Sequence, residues 1–353
     1  MGVPNCCGSK NYNDGINQVT FADGNIIQSE EALNDEKGKD FLFSSPNKEN
    51  LQKINENFEN TVKNYGSFIT DKSIEEIIEQ INPEANNIEI PEEIKNSKKR
   101  NCFDVQPIKF NTGEIYKGSW NINNQRHGYG INISPEGNIY KGLWNEDKIG
   151  NYGIFIDCDG NYYKGELKDG KSEGNGEMVV KNKFRYKGEF KDDFPNGKGC
   201  LENFENNTKY EGDILNGKKE GKGILEYEDG TKYEGDFKND QFDGIGIFKF
   251  PNGRKYEGDF HDGKVQGKGK FTWEDGKVYE WEYEDFMKTG FGKFYWNEDK
   301  FYEGQWLNNR QHGKGMIHNE GKEINGIFRF GKIIKENKVE QWHKDIFCFF
   351  DLL

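Results

Sequence analysis

The residues with the clearest chemistry stand at the start of the chain: Met1-Gly2-Val3-Pro4-Asn5-Cys6-Cys7-Gly8-Ser9-Lys10. Removal of Met1 would free Gly2 for N-myristoylation, which asks for that glycine and a small residue at position 6. Cys6 is small, but it stands where Ser or Thr is preferred. In compensation, Cys6 and Cys7 offer thiols for S-palmitoylation beside the first lipid. One myristoyl chain holds a membrane only marginally, so stable anchoring takes a second signal. That signal has to be palmitate, because residues 1–106 carry a net charge of −8 and no polybasic patch. The plainer reading is an ordinary terminus with two free cysteines.

Catalysis finds little support elsewhere. No Ser/His/Asp or Cys/His arrangement stands out, and the carboxylates are spread too evenly to single out an acid–base pair. The six cysteines include no Cys-x-x-Cys pair, so neither a disulfide framework nor a zinc site is expected, and no cofactor is implied. Stretches such as Gly221-Lys222-Gly223 lack the strand–loop–helix context of a phosphate cradle. The net charge of −13 argues against a nucleic-acid partner. No apolar run approaches the ~18 residues of a membrane span, and there is no secretory h-region. The chain reads as cytoplasmic.

The elements that position these residues follow from a period. Tyr116, Tyr140, Tyr163, Tyr186, Tyr210, Tyr233, Tyr256, Tyr279 and Tyr302 recur at steps of 23 or 24, each two residues before a glycine except at Trp281. A fixed period of this length marks a stacked-repeat architecture. Apolar residues make only 33% of the chain while aromatics make 14% and glycine occurs 44 times, which suits rings lying on a thin sheet rather than a thick core. One unit reads Tyr233-x-Gly235-x-Phe237, then Gly244-x-Gly246-x-Phe248, then Asn252-Gly253. Two alternating segments joined by short turns describe β-hairpins, with Asn-Gly or Asp-Gly closing the unit. Period-2 geometry places both glycines of Gly-x-Gly on the apolar face with the aromatics, where the missing Cβ leaves slots for rings. His127 and His312 share one repeat position before Gly-x-Gly, which reads as structural. On the opposite face the residue after Tyr changes from Lys117, Lys141, Lys164 and Lys187 to Glu211, Glu234, Glu257, Glu280 and Glu303. There Lys222, Lys268 and Lys314 are expected to face Glu211, Glu257 and Glu303 as a solvated ladder of charges.

The pattern Tyr-x-Gly-x-(Trp/Phe), Gly-x-Gly, (Asp/Asn)-Gly resembles the MORN repeat (membrane occupation and recognition nexus). Nine units match, with a half-unit at Ile324, Gly326 and Phe328. The resemblance implies an all-β repeat: an elongated, twisted antiparallel sheet of stacked hairpins. The second unit has Gly150-Asn151-Tyr152-Gly153, one residue longer than Gly-x-Gly, and Trp281 takes the place of the glycine two after Tyr279. The expected organisation is an acylation motif over 1–10, a low-complexity extension over 11–105, the array over 107–330 and a capping segment over 331–353 that forms a short helix. Within the extension, the spacing predicts helices over about 48–65 and 71–81, the second opened by a Ser73/Glu76 capping box. Trp120, Trp144, Phe237, Phe260, Trp273, Trp281, Trp296 and Trp306 are the candidate contact residues of the aromatic sheet. The functional expectation is a non-enzymatic scaffold, peripheral to a membrane through Gly2, Cys6 and Cys7, that docks other proteins. Two alternatives stay open: a structural part of the ciliary axoneme, as in radial-spoke relatives, or of another cytoskeletal assembly at the cilium or cell cortex, and a phosphoinositide-binding module that takes phospholipids as partners.

Overall fold

The computed structural model describes residues 58–60, 62–97 and 102–337. The acylation motif, the extension before residue 58 and residues 338–353 lie outside them. The chain divides into Met1–Phe58 and Glu59–Leu353. Phe58, buried, is the only described residue of the first unit; everything below concerns the second.

Among the described residues, twenty-three strands form one open antiparallel sheet, so the expected architecture of stacked hairpins is what the chain adopts. Each repeat supplies two strands. The unit of Tyr233 places that residue in β14 (Lys232–Lys238) and its Gly-x-Gly in β15 (Gln241–Lys249). Strands pair in chain order from β4 (Ile115–Asn121) to β22 (Lys322–Arg329) and β23 (Lys332–Asn337). At the other end β2 (Cys102–Asp104) and β3 (Ile108–Phe110) share one edge of β4, and β1 (Gly66–Phe68) pairs with β3. The first residues of the C-terminal segment, expected as part of a helical cap, instead continue the sheet as β23, and the rest of that segment lies outside the described residues.

Two kinds of turn make the hairpins. Within a unit the strands meet at two residues of positive φ, such as Asn239 (48°) and Asp240 (70°), the type I′ geometry that matches strand twist. Between units the expected Asn-Gly closes a wider loop: Gly253 (φ 81°) donates to Phe250 O at 3.0 Å, and Phe250 donates to Arg254 O. The tight hairpin turn thus lies inside the unit rather than at its close.

Each repeat tyrosine folds back along its own strand. Tyr233 donates its hydroxyl to Asp236 O at 2.9 Å, and all nine tyrosines make the same bond to the carbonyl three residues on. The ring passes over Gly235 and its cross-strand partner Gly246: a Cβ on Gly246 would lie 2.4 Å from the Tyr233 hydroxyl oxygen. It is held edge-on by Phe237 (5.1 Å, 86°) and by Phe260 of the next unit (5.2 Å, 88°). Edge-to-face pairs of this kind are worth roughly 0.5–1.5 kcal/mol beyond their burial.

The result is a row of glycines crossing the sheet. Every strand from β4 to β22 places one residue in it, from Gly118 to Gly326, and only Trp281 is not glycine. The other glycine of each Gly-x-Gly does not share this row, contrary to the simple parity expected. A bulge between Gly235/Gly246 and Phe237/Phe242 puts Gly244 at φ 108°, where a Cβ would meet Asp236. Asp236 accepts the Ile245 N–H there at 3.0 Å, and Asp213, Asp259, Glu282 and Gln305 do the same in their units. These side chains are backbone ties rather than members of a solvated ladder. The second unit keeps the same register, Gly142 facing Gly153 and Trp144 facing Ile149, with Asn151 where Gly244 stands in the unit of Tyr233.

Gly246→Ala is expected to push Tyr233 off its strand and lower stability by about 1–3 kcal/mol, as overpacking does. Tyr283→Phe should act oppositely, because Tyr283 replaces the Phe237-type residue and its buried hydroxyl has no partner among the described residues. Removing it should add about 1 kcal/mol. Urea midpoints of the two variants check both, and a destabilised Tyr283→Phe would contradict the assignment.

Candidate functional site

The two faces of the sheet are used differently. On the tyrosine face the rings are spent on each other. Trp120, Trp144, Phe237, Phe260 and Trp306 are buried, Trp273 and Trp296 half-buried, and of the expected contact residues only Trp281 stands out, 44% exposed. Its φ of 123° carries the indole clear of Tyr279, which keeps its hydrogen bond to Glu282 O, and sets it 5.6 Å from the Lys268 ammonium. The residue two before the bulge glycine plugs the gap between successive tyrosines. Phe242 stacks on Tyr233 at 4.0 Å, and Arg126 lies 4.1 Å above Trp144. Lys288 occupies this position in its unit, with Trp273, Tyr279, Phe294 and Trp306 centroids 4.6–5.3 Å from its ammonium.

The opposite face begins covered. The predicted second helix is α1 (Ile74–Ile81), opened by Ser73 and Glu76 as a capping box. Of the first predicted helix, residues 58–60 and 62–65 are helical. Asn82 and Pro83 end α1 and start a 3₁₀ turn (Pro83–Asn87), followed by the short helix α2 (Glu92–Lys95). The apolar stripe of α1 presses Ile74 and Ile78, with Ala85 and Ile90, onto Ile133, Ile139, Ile154 and Ile156 of the sheet. All eight are buried.

The lysines that follow the repeat tyrosines fasten this cover. Lys117 pairs with Glu75 at 3.4 Å, Lys141 donates to Ala85 O at 2.5 Å, and Lys164 donates to Glu89 O at 2.7 Å. Lys141 is buried, and burial pulls its pKa down. The change from Lys to Glu along the sequence therefore marks a boundary: the units that start with Tyr-Lys include those that lie under the helical segment. Farther along, Lys222 pairs with Asp236 of the following unit, not with Glu211 of its own hairpin as expected, and Lys198 likewise pairs with Asp213 of the following unit. The bulge shifts them by one strand. His127 accepts the Glu146 N–H, and Asp243 accepts from Asp262 and contacts His261, so the acids and histidines before the bulge glycine tie the next turn.

A family model described as MORN repeat matches residues 116–139, 140–162, 163–180, 186–202, 210–232, 233–253, 256–278 and 302–318. The chain belongs to the MORN-repeat family. The matched segments pass over 279–301, the unit of this MORN array in which Trp281 stands for glycine. No curated protein matches the chain at a significant level. Among solved structures it is similar to the TCP10 domain of Danio rerio CPAP in complex with a peptide of Danio rerio STIL (12% identity, 67% of this chain and 99% of that one, TM-score 0.25). It is also similar to the TCP10c domain of Drosophila melanogaster Sas-4 (17% identity, 62% and 99%, TM-score 0.24). The CPAP G-box domain is a further match (14% identity, 50% and 90%, TM-score 0.32). Scores this low carry no statement about function.

In the MORN array burial pushes the pKa of Lys288 from 10.5 down to about 8. Below pH 8 the amine is charged in both states, and the folded state bears the full cost of desolvation. Between about 8 and 10.5 the unfolded chain holds the proton more tightly, so stability rises with pH across that window. Lys288→Met, of similar length, should raise stability at pH 7 by roughly 1–3 kcal/mol and remove the rise. Urea midpoints from pH 7 to 10.5 check it, and an unchanged slope in the variant would contradict it.

Proposed function

We propose that this MORN-repeat protein is a non-enzymatic scaffold that docks other proteins on the face opposite its tyrosines. The observation that carries this reading is the division of labour between the faces. Rings, row glycines and bulge acids are used to build the sheet. The side chains that follow each tyrosine, beyond the helical segment, point to solvent. Such arrays offer long surfaces rather than one enclosed pocket.

The scaffold works at the cytosolic face of a membrane, held there by myristate on Gly2 and palmitate on Cys6 and Cys7. The motif supports this, and so does the arithmetic of two lipid chains against one. Fractionation of wild type, Gly2→Ala and Cys6→Ser/Cys7→Ser tests it. Wild type should sediment with membranes and be released by detergent, Gly2→Ala should be soluble, and the double cysteine variant should fall between them. Equal distribution of all three overturns the tether. Co-extraction by salt with cytoskeletal components would favour the cilium or cortex alternative instead.

A further inference from the structure

On the face opposite the tyrosines, the surface covered by α1 continues into a groove of about 1220 Å³ that begins at Tyr152 and Lys164 and runs to Gly246 and Ile247. The two stretches are built alike. The residue after the row glycine is Ile131 and Ile154 under the helical segment, and Cys200, Ile224 and Ile247 in the groove. Ile154 is fully buried by the cover, whereas Ile245, between Gly244 and Gly246, is 65% exposed. The floor of both is the glycine row, which lets a docked backbone come close.

Charge separates them. Under the cover, the residues after tyrosine are lysines, and they meet an acidic segment that includes Glu75 and Glu89. In the groove the same positions hold Glu211 and Glu234, cross-strand neighbours of Ile224. Glu211 makes no ion pair among the described residues, and Glu234 has only Lys249 at 3.8 Å. Lys198 and Lys222 are paired with Asp213 and Asp236, which leaves Lys164, tied to Glu89 O, and Lys187, facing Cys200, as the cations at the covered end.

We propose that this groove receives a short amphipathic helix of another protein, one with an isoleucine- or leucine-rich stripe flanked by lysine and arginine. It deepens the scaffold reading and rests on it. The chain's own α1 shows that this face accepts such a helix, and the reversed charges in the groove call for reversed charges on the visitor. From β9 (Lys171–Val180) to β15 the groove crosses six strand spacings, about 29 Å at ~4.8 Å each. A helix running that distance has roughly 19 residues.

The test uses the full-length chain and two synthetic amphipathic peptides of about that length, with isoleucines at helical spacing. One carries lysine and the other glutamate at the remaining positions. Fluorescence anisotropy should show the lysine peptide binding at least tenfold more tightly. Glu211→Lys with Glu234→Lys should reverse the preference, and Ile224→Asp with Ile247→Asp should cut affinity at least tenfold. Failure of the charge swap to change the preference overturns the proposal, as does equal binding of both peptides. Light scattering that finds a dimer abolished by the isoleucine substitutions would overturn it in favour of a second copy as occupant. If no peptide binds while recovery with membranes still depends on Gly2, the groove assignment falls and the tethered-scaffold reading stands.

Discussion

A tyrosine ring lying across two strands that lack Cβ atoms is the contact on which everything else depends. It explains the composition, since each unit needs one tyrosine, two facing glycines and one ring to hold the tyrosine edge-on. Two glycines in strands cost about 1–2 kcal/mol relative to alanine. A buried tyrosine removes 150–250 Å² from water, worth roughly 4–6 kcal/mol at 25 cal/mol/Å². The ring wins by a clear margin, and it does so with one layer of backbone. No second sheet has to cover that face, because the rings cover each other.

Closing one face in this way leaves the other open to different uses along its length. Over the first units it carries isoleucines and lysines, and both are matched: Ile74 and Ile78 of α1 against Ile154 and Ile156, Lys141 against a backbone carbonyl. A buried lysine needs a hydrogen-bond partner to be tolerated, and Ala85 O supplies it only if the helical segment is seated. The cover and the lysine row therefore require one another. Beyond Lys164 the isoleucines return at 224, 245 and 247 with carboxylates beside them. The second surface keeps the shape of the first and inverts its charge.

Much of this was legible in the sequence. The period and the parity of Tyr, Gly and Phe place every repeat tyrosine on one face, and Ser73 with Glu76 marks the start of α1. What parity hides is the bulge. A shift in register at Gly221 moves that bulge glycine out of the row, and Lys222 beside it pairs with the next unit's Asp236 rather than with Glu211. The signal was present in the acid or amide three residues after each repeat tyrosine from Tyr163 onward, a side chain able to reach a freed N–H. Long-range burial was equally hidden. Lys117, Lys141 and Lys164 look like exposed strand charges until the helical segment is placed over them, and no local pattern carries that information. The aromatic residues proposed as contacts were readable as a set, yet only the structure separates the buried Trp120 and Trp144 from the exposed Trp281.

Hydroxyl-radical footprinting of the full-length protein tests most directly the claim that one face is closed by rings on glycines and the other is open. Oxidation should be slow at Tyr210, Tyr233, Tyr256, Phe237 and Phe260, and fast at Ile245 and Trp281. Ile154, under α1, should be protected although its repeat equivalents Ile224 and Ile247 react. Repeat tyrosines oxidised as readily as Trp281 would contradict the account.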